Sequence, residues 1–194
     1  MRLFFLLALL LLFAGLAHQA LAVGLPVGTT FQIVAQATYT DAWDQSGSSE
    51  PASVVLTVLQ VAAVNVEPGS PPDETTPGET VYVPLQVHNL GNGPDRFDLS
   101  ATSERGWSVS FVYDDNADGV HQASEQYVIT SAGMMVADGY TPCFAKLVVP
   151  QDATSADTVT IAAQSRYDPV DGNDQERISL PPPPPLIVDI TTPT

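Results

Sequence analysis

Cysteine is nearly missing from this sequence. Cys143 stands alone, so no disulfide can form within the chain, even in an oxidising compartment. Its neighbours alternate as Cys143, Ala145, Leu147 and Val149, which predicts a buried strand face where the thiol acts as a small hydrophobe. A reactive or intermolecular thiol is the other reading. Basic residues are almost as scarce. Six Lys and Arg, with Lys146 the one lysine, face 22 acids, for a net charge of −16. Phosphate binding needs Lys and Arg, so nucleic acid is excluded as an expected partner. An anionic membrane surface is disfavoured for the same reason, and divalent cations become the natural counter-species.

Catalytic constellations are lacking too. Beyond the N-terminal segment, two histidines remain, His88 and His121. No serine sits in a G-x-S-x-G elbow. No Gly-rich loop is arranged to cradle phosphate, and no Cys/His cluster is spaced for a metal. The acids gather in turn-like segments rather than as a pair across a cleft. The expectation is a protein without catalysis.

What is present begins with a leader. Arg2 precedes an apolar run at residues 3–17, then His18-Gln19 and Ala20-Leu21-Ala22. One positive charge, a short apolar run and small residues before the cut describe a secretory signal peptide cleaved after Ala22. The run of 15 residues is shorter than the ~20 that a spanning helix wants. Cleavage removes Arg2 and no acid, making the remaining chain one unit more negative than −16. The expected location is therefore secreted or cell-surface, with no membrane span after cleavage.

After the leader, period-two alternation dominates and helical periodicity is absent. Residues 29–40 (TTFQIVAQATYT) place Phe31, Ile33, Ala35, Ala37 and Tyr39 on one strand face. Residues 53–66 (SVVLTVLQVAAVNV) are too long for one strand and are split near Gln60. Pro and Gly exclude residues 67–79 from a central strand. In residues 80–89, Val81, Val83, Leu85 and Val87 face inward, and Pro84 predicts an edge strand or a bulge. Further strands are predicted at residues 95–102, 107–113, 126–130, 141–149 and 157–166, with Phe97, Trp107 and Phe111 as bulky core candidates. Short strands at regular spacing predict an all-β fold, an antiparallel β-sandwich.

Two pieces do not fit a closed domain. Residues 23–60 supply two good strands, and two strands bury no core by themselves. They must lie against the main domain or be completed from outside. At the other end, Pro181 to Pro185 form a polyproline stretch, followed by LIVDITTPT, with a strand-like run at residues 186–190. That run either packs back on its own domain, stays disordered, or reaches another chain by strand addition.

One motif carries metal chemistry. Asp114-Asp115-Asn116-Ala117-Asp118-Gly119 and, six positions on, Glu125 match the calcium-loop pattern D-x-[DN]-x-[DN]-G-x5-E. A hard cation wants six to eight oxygens. Asp114, Asn116 and Asp118 would offer side-chain oxygens, Val120 its carbonyl, and Glu125 both carboxylate oxygens, with Gly119 at the turn. No amphipathic helices flank the loop, and His121 replaces an apolar residue. The alternative is an acidic hairpin loop whose Asp and Asn serve turn geometry. The second acidic stretch, residues 168–174, lacks the spacing and reads as a solvated turn.

The residues also resemble known surface modules. The phrase TTFQIVAQATYTDA followed by SVVLTV resembles the closing part of an Ig-like conserved repeat of bacterial cell-surface proteins. Gly91-Asn92, Asp95, Phe97, Leu99, Gly106 and Trp107 resemble the Ig-like domain associated with some glycosidases. The resemblance covers residues 28–180 loosely. It implies an Ig-like β-sandwich at residues 61–180, a partial repeat at residues 23–60, a polyproline linker at residues 181–185 and a tail at residues 186–194. Its implied function is a spacer, adhesion or assembly module, with other surface proteins or copies of itself as partners. The alternative is a carbohydrate- or protein-binding module, with Tyr82, Tyr127 or Tyr140 stacking on sugar rings.

Overall fold

The computed structural model describes residues 24–184. The predicted leader and the strand-like run at residues 186–190 lie outside the described residues. Among the described residues there is no helix, and none long and apolar enough to cross a membrane.

Nine strands build an all-β, antiparallel sandwich. They are β5 (Val64–Pro68), β6 (Thr80–Asn89), β7 (Asp95–Ser103), β8 (Ser108–Tyr113), β9 (Val128–Ile129), β10 (Ser131–Met135), β11 (Tyr140–Val148), β12 (Asp157–Ser165) and β13 (Asn173–Leu180). Four shorter strands precede them: β1 (Thr30–Ala35), β2 (Thr38–Thr40), β3 (Ser46–Ser48) and β4 (Ala52–Thr57). One sheet of the sandwich runs β5-β6-β11-β8-β9 and the other β10-β7-β12-β13, with every pairing antiparallel.

Strand alternation buries one face of each sheet against the other. Val81, Val83, Leu85 and Val87 of β6 meet Phe97, Val159, Ile161, Ala163 and Leu180 across the core. Trp107 and Phe111 are buried in the same cluster. Cys143 lies with Ala145 and Leu147 on the inner face of β11. Burial pushes its thiol up to about 12, with the charge of Asp114 adding to the effect.

β7 and β12 are tied at both ends by matching bonds. Each strand starts with a buried Asp and ends with a Ser. The Ser165 hydroxyl donates to Asp95 Oδ2 at 2.5 Å, and the Ser103 hydroxyl donates to Asp157 Oδ2 at 2.5 Å. Backbone amides of Arg96 and Tyr167 also donate to Asp95, and those of Arg105 and Thr158 to Asp157. Buried carboxylates of this kind persist because hydrogen bonds replace their lost water.

Several local expectations change. Residues 29–40 are two strands, broken after Ala35, because Ala37 turns to bond Ser49 instead. Pro84 is not on an edge strand: β6 pairs with β11 on one side and β5 on the other. Its missing N–H falls where β5 ends, and the Pro84 carbonyl accepts Gly69 N–H at 2.7 Å. A Cβ on Gly69 would stand 2.6 Å from the Pro84 ring, so the chain leaves the ladder there through a glycine. Residues 126–130 are not one strand of one sheet; β9 ends at Ile129, and β10 starts two residues later in the opposite sheet. The sequence reading missed β10 and β13. β13 is polar through Arg177 and buries only Ile178 and Leu180, so it shows little apolar alternation.

Candidate functional site: an N-terminal arm and an acidic loop

The first candidate is the chain before the sandwich. β1 and β4 form a two-stranded antiparallel ladder, Thr30 opposite Thr57 through Ala35 opposite Ala52. β2 and β3 extend it toward the tip, with Tyr39 opposite Gly47. Directly opposed residues share a face. One face therefore carries Phe31, Ile33, Ala35, Ala52, Val54 and Leu56. The other mixes Val34 and Val55 with Thr30, Gln32, Ser53 and Thr57.

Neither sandwich sheet covers this arm. All twelve residues of β1 and β4 are exposed. Phe31, Ile33, Val54 and Leu56 show 43, 54, 51 and 50% of their surface to solvent. No other strand among the described residues pairs with either edge. The four arm strands contain no charged residue; Asp41, Asp44 and Glu50 lie in the turns between them. An uncharged, two-edged sheet with one wholly apolar face is unusual on so acidic a chain.

The arm is nevertheless anchored at its base. The Asn92 amide donates to Leu25 O and Leu59 O, both at 3.0 Å. Val61 N–H donates to Asn92 Oδ1 at 2.7 Å, and Val27 N–H to Asn92 O at 2.9 Å. Gln60 Nε2 donates to Pro94 O at 2.8 Å. Gly91 is required beside them, since a Cβ there would lie 2.6 Å from Val61 O. Asn89, fully buried, braces the same turn by donating to Gly93 O, Met135 O and Val136 O. Sequence reasoning placed Asn89 at the end of a strand and Asn92 within a resemblance, and missed both as clamps. Their short spacing around Gly91 was the available signal.

The second candidate is the loop between β8 and β9. It folds over the outer face of the five-stranded sheet. His121 stacks on Tyr82 at 3.5 Å between ring centroids and meets Phe144 edge-on at 5.6 Å. Phe144, on the outer side of β11, is thereby buried.

The loop places the predicted ligands in two tiers. Asp114 and Glu125 are buried at its base. Asp114 accepts the amides of Ala117 at 2.7 Å and Gly119 at 3.0 Å. Glu125 accepts those of Asp115 and Gln122. Asn116, Asp118 and Val120 form an exposed rim. There Asn116 Nδ2 donates to Asp118 Oδ2 at 3.0 Å. The Val120 N–H, with smaller help from Gln122 and Asn116, holds the Asp118 carboxyl below its ordinary range against slight desolvation. Ala117 and Gly119 both take positive φ, 57° and 70°, and Gly119 is the sixth position, where the calcium-loop pattern needs its turn. The side chains act as staples for that turn: among the described residues, no three His, Cys, Asp or Glu side chains gather as a metal cage.

The tyrosines named for sugar stacking do not share a platform. Tyr82 is capped by His121, Tyr140 stacks on His88 at the other end of that face, and Tyr127 borders a shallow depression with Arg96, Tyr113 and Ser131.

No family model matches the chain, and no curated protein matches its sequence. Among solved structures it is similar to the ASH/PapD-like domain of human CEP192 (PapD-like domain 7), with 19% identity and a TM-score of 0.36 over 60% of this chain and 81% of that one. It is also similar to AvmM, described as catalysing macrocyclization in alchivemycin A biosynthesis, with 11% identity and a TM-score of 0.41 over 64% of this chain and 92% of that one. Likeness at this level says nothing about what this chain does.

Proposed function

We propose that this chain is a non-catalytic structural module of the cell exterior that assembles with copies of itself through its N-terminal arm. The apolar face of Phe31, Ile33, Ala35, Ala52, Val54 and Leu56 carries the reading. It is uncharged, unpaired at both edges among the described residues, and held out from the sandwich by Asn92. A two-stranded sheet is marginal in water without further cover. Copies of so acidic a chain repel one another over most of their surface, and the arm strands are a stretch where that repulsion is least. The leader-like residues 1–22 and the resemblance to surface repeats support an exterior location and an adhesive or spacer role.

Sedimentation velocity over a concentration series tests this. The purified chain should show mass above the monomer that rises with concentration. The double variant Ile33→Asp/Val54→Asp, which leaves the sandwich core untouched, should stay monomeric. A wild-type chain that remains monomeric at high micromolar concentration would sink the assembly reading. N-terminal sequencing of exported protein should begin at Val23.

Calcium is proposed as an accessory ligand of the acidic loop. The pattern match and the positive φ at Ala117 and Gly119 support it. Asp114, Asn116, Asp118, Val120 and Glu125 would hold the ion, and its effect would be to stiffen the cover over Phe144.

A further inference from the structure

Residues 186–190, Leu-Ile-Val-Asp-Ile, alternate Leu186, Val188 and Ile190 against Ile187 and Asp189. They follow five prolines and suit a strand that adds to an open sheet edge. The arm offers two such edges, on β1 and on β4. The question is whether a chain can bring this segment to its own arm.

The fold answers with distances along its strands. The arm's root lies beside the start of β13: a Cβ on Gly172 would stand 2.7 Å from the Ala62 side chain, and Asp174 accepts Val66 N–H at 2.7 Å. β13 then runs away from the root for eight residues, Asn173–Leu180, seven steps or ~23 Å at strand spacing. At the far pole Leu180 pairs with Asp157, and Pro181 O accepts the Thr75 hydroxyl at 2.8 Å. Pro183, two residues on, is buried as well. From Leu180 to Leu186 the chain spans at most ~22 Å in any conformation. Leu186 therefore gets no farther than the root even at full stretch, and the nearest arm pair, Thr30 opposite Thr57, stands five residues of chain out from Ala62. A chain cannot lay residues 186–190 along its own arm.

We infer that residues 186–190 of one copy add as a third strand to the arm of the next, head to tail. This rests on the arm being an assembly surface and names what occupies it. Leu186, Val188 and Ile190 would extend the face of Phe31, Ile33, Val54 and Leu56. The third strand supplies the pairing that a two-stranded sheet lacks. Donor and acceptor sit at opposite poles, so the contact joins two different surfaces, and a row that does not close on itself grows as an open chain. The pairing is also neutral apart from Asp189, which suits a contact between two acidic molecules.

Complementation tests the inference. One variant, Val188→Pro, removes the donor; proline withdraws a ladder amide. The other, Ile33→Asp/Val54→Asp, removes the acceptor. Sedimentation velocity should show wild type growing through a series of sizes, and each variant alone should remain monomeric at concentrations where wild type is mostly assembled. An equal mixture of the two should give a dimer and stop there, since one working tail meets one working arm. Recovery of that dimer also shows that both variants are folded. If Val188→Pro assembles like wild type, the tail is not the donor, while the arm reading survives. If wild type does not assemble at all, both readings fall. If the mixture stays monomeric while wild type assembles, head-to-tail donation is overturned and face-to-face pairing of arms takes its place.

Discussion

Val61 N–H donates to Asn92 Oδ1 at 2.7 Å, and through that bond the chain leaving β4 is tied to a turn of the sandwich. The same side chain donates to Leu25 O and Leu59 O, so one residue grips both ends of the arm. Asn92→Ala should lose three bonds at a largely buried position, at a cost of about 1–3 kcal/mol. The effect should be local. Hydrogen exchange at Val61 and Val27 should speed up, while Val83 and Ile161 in the core keep their protection. Unchanged exchange at Val61 would show that the arm is held by something else.

The sandwich was largely legible in the sequence and the arm's isolation was not. In β6, every second residue from Val81 to Val87 is apolar and buried, so the core face could be read directly. Asp95 and Phe97, noted as part of a resemblance, are a buried strand-tying carboxylate and a core ring. β13 gave no such signal, because an edge strand with a polar first half shows little apolar alternation. Phe31, Ile33, Val54 and Leu56 alternate as core residues do, yet among the described residues nothing covers them. Periodicity reports which residues share a face; it does not report what that face meets. The acidic loop was legible in part. Its pattern was visible, but the role of His121 as a lid over Phe144 depends on Tyr82, some forty residues away along the chain.

That lid yields a second prediction. His121 stacks on Tyr82 and caps Phe144 edge-on. His121→Ala should expose the Phe144 ring and lower stability by about 1–2 kcal/mol, in line with lost aromatic pairing and burial. Val120→Ala, one residue away and 63% exposed, should change stability by less than about 0.5 kcal/mol. Urea unfolding of the two variants compares them. Equal midpoints would mean that the loop does not cover the sheet in solution.

Calcium binding at the acidic loop should be weak, with a dissociation constant of ~10⁻⁴–10⁻³ M. Asn116 must turn its oxygen toward the ion and release Asp118, to which its Nδ2 now donates. Calorimetry should therefore show heat at millimolar calcium, and the amide signals of Asn116, Asp118 and Val120 should shift. Asp118→Ala should abolish both while leaving the fold intact, because Asp118 is exposed. No heat and no shift would remove calcium from this loop.

Cys143 gives the last prediction, in alkali. Its thiol is 1% exposed, and burial together with the charge of Asp114 moves it from an ordinary 9.0 up to about 12 in the folded chain. The folded state thus keeps a proton that the unfolded state gives up. Below pH 9 both states hold it, and the thiol's contribution to stability is complete. Between pH 9 and about 12 the unfolded state alone ionises, so stability should fall by about 1.4 kcal/mol per pH unit from this one proton. Tyr and Lys also titrate in this range, so the comparison must be with Cys143→Ala. That variant should be less stable near neutral pH, from the lost packing of the thiol. Its stability should then decline less steeply above pH 9, and the gap between the two proteins should narrow. Ellman's reagent gives an independent check. In the native chain it should label Cys143 only as fast as the sandwich opens, whereas in urea the reaction should be immediate. Parallel pH profiles for the two proteins, or prompt labelling of the native chain, would mean that the thiol is not sealed in the core between β6 and β8.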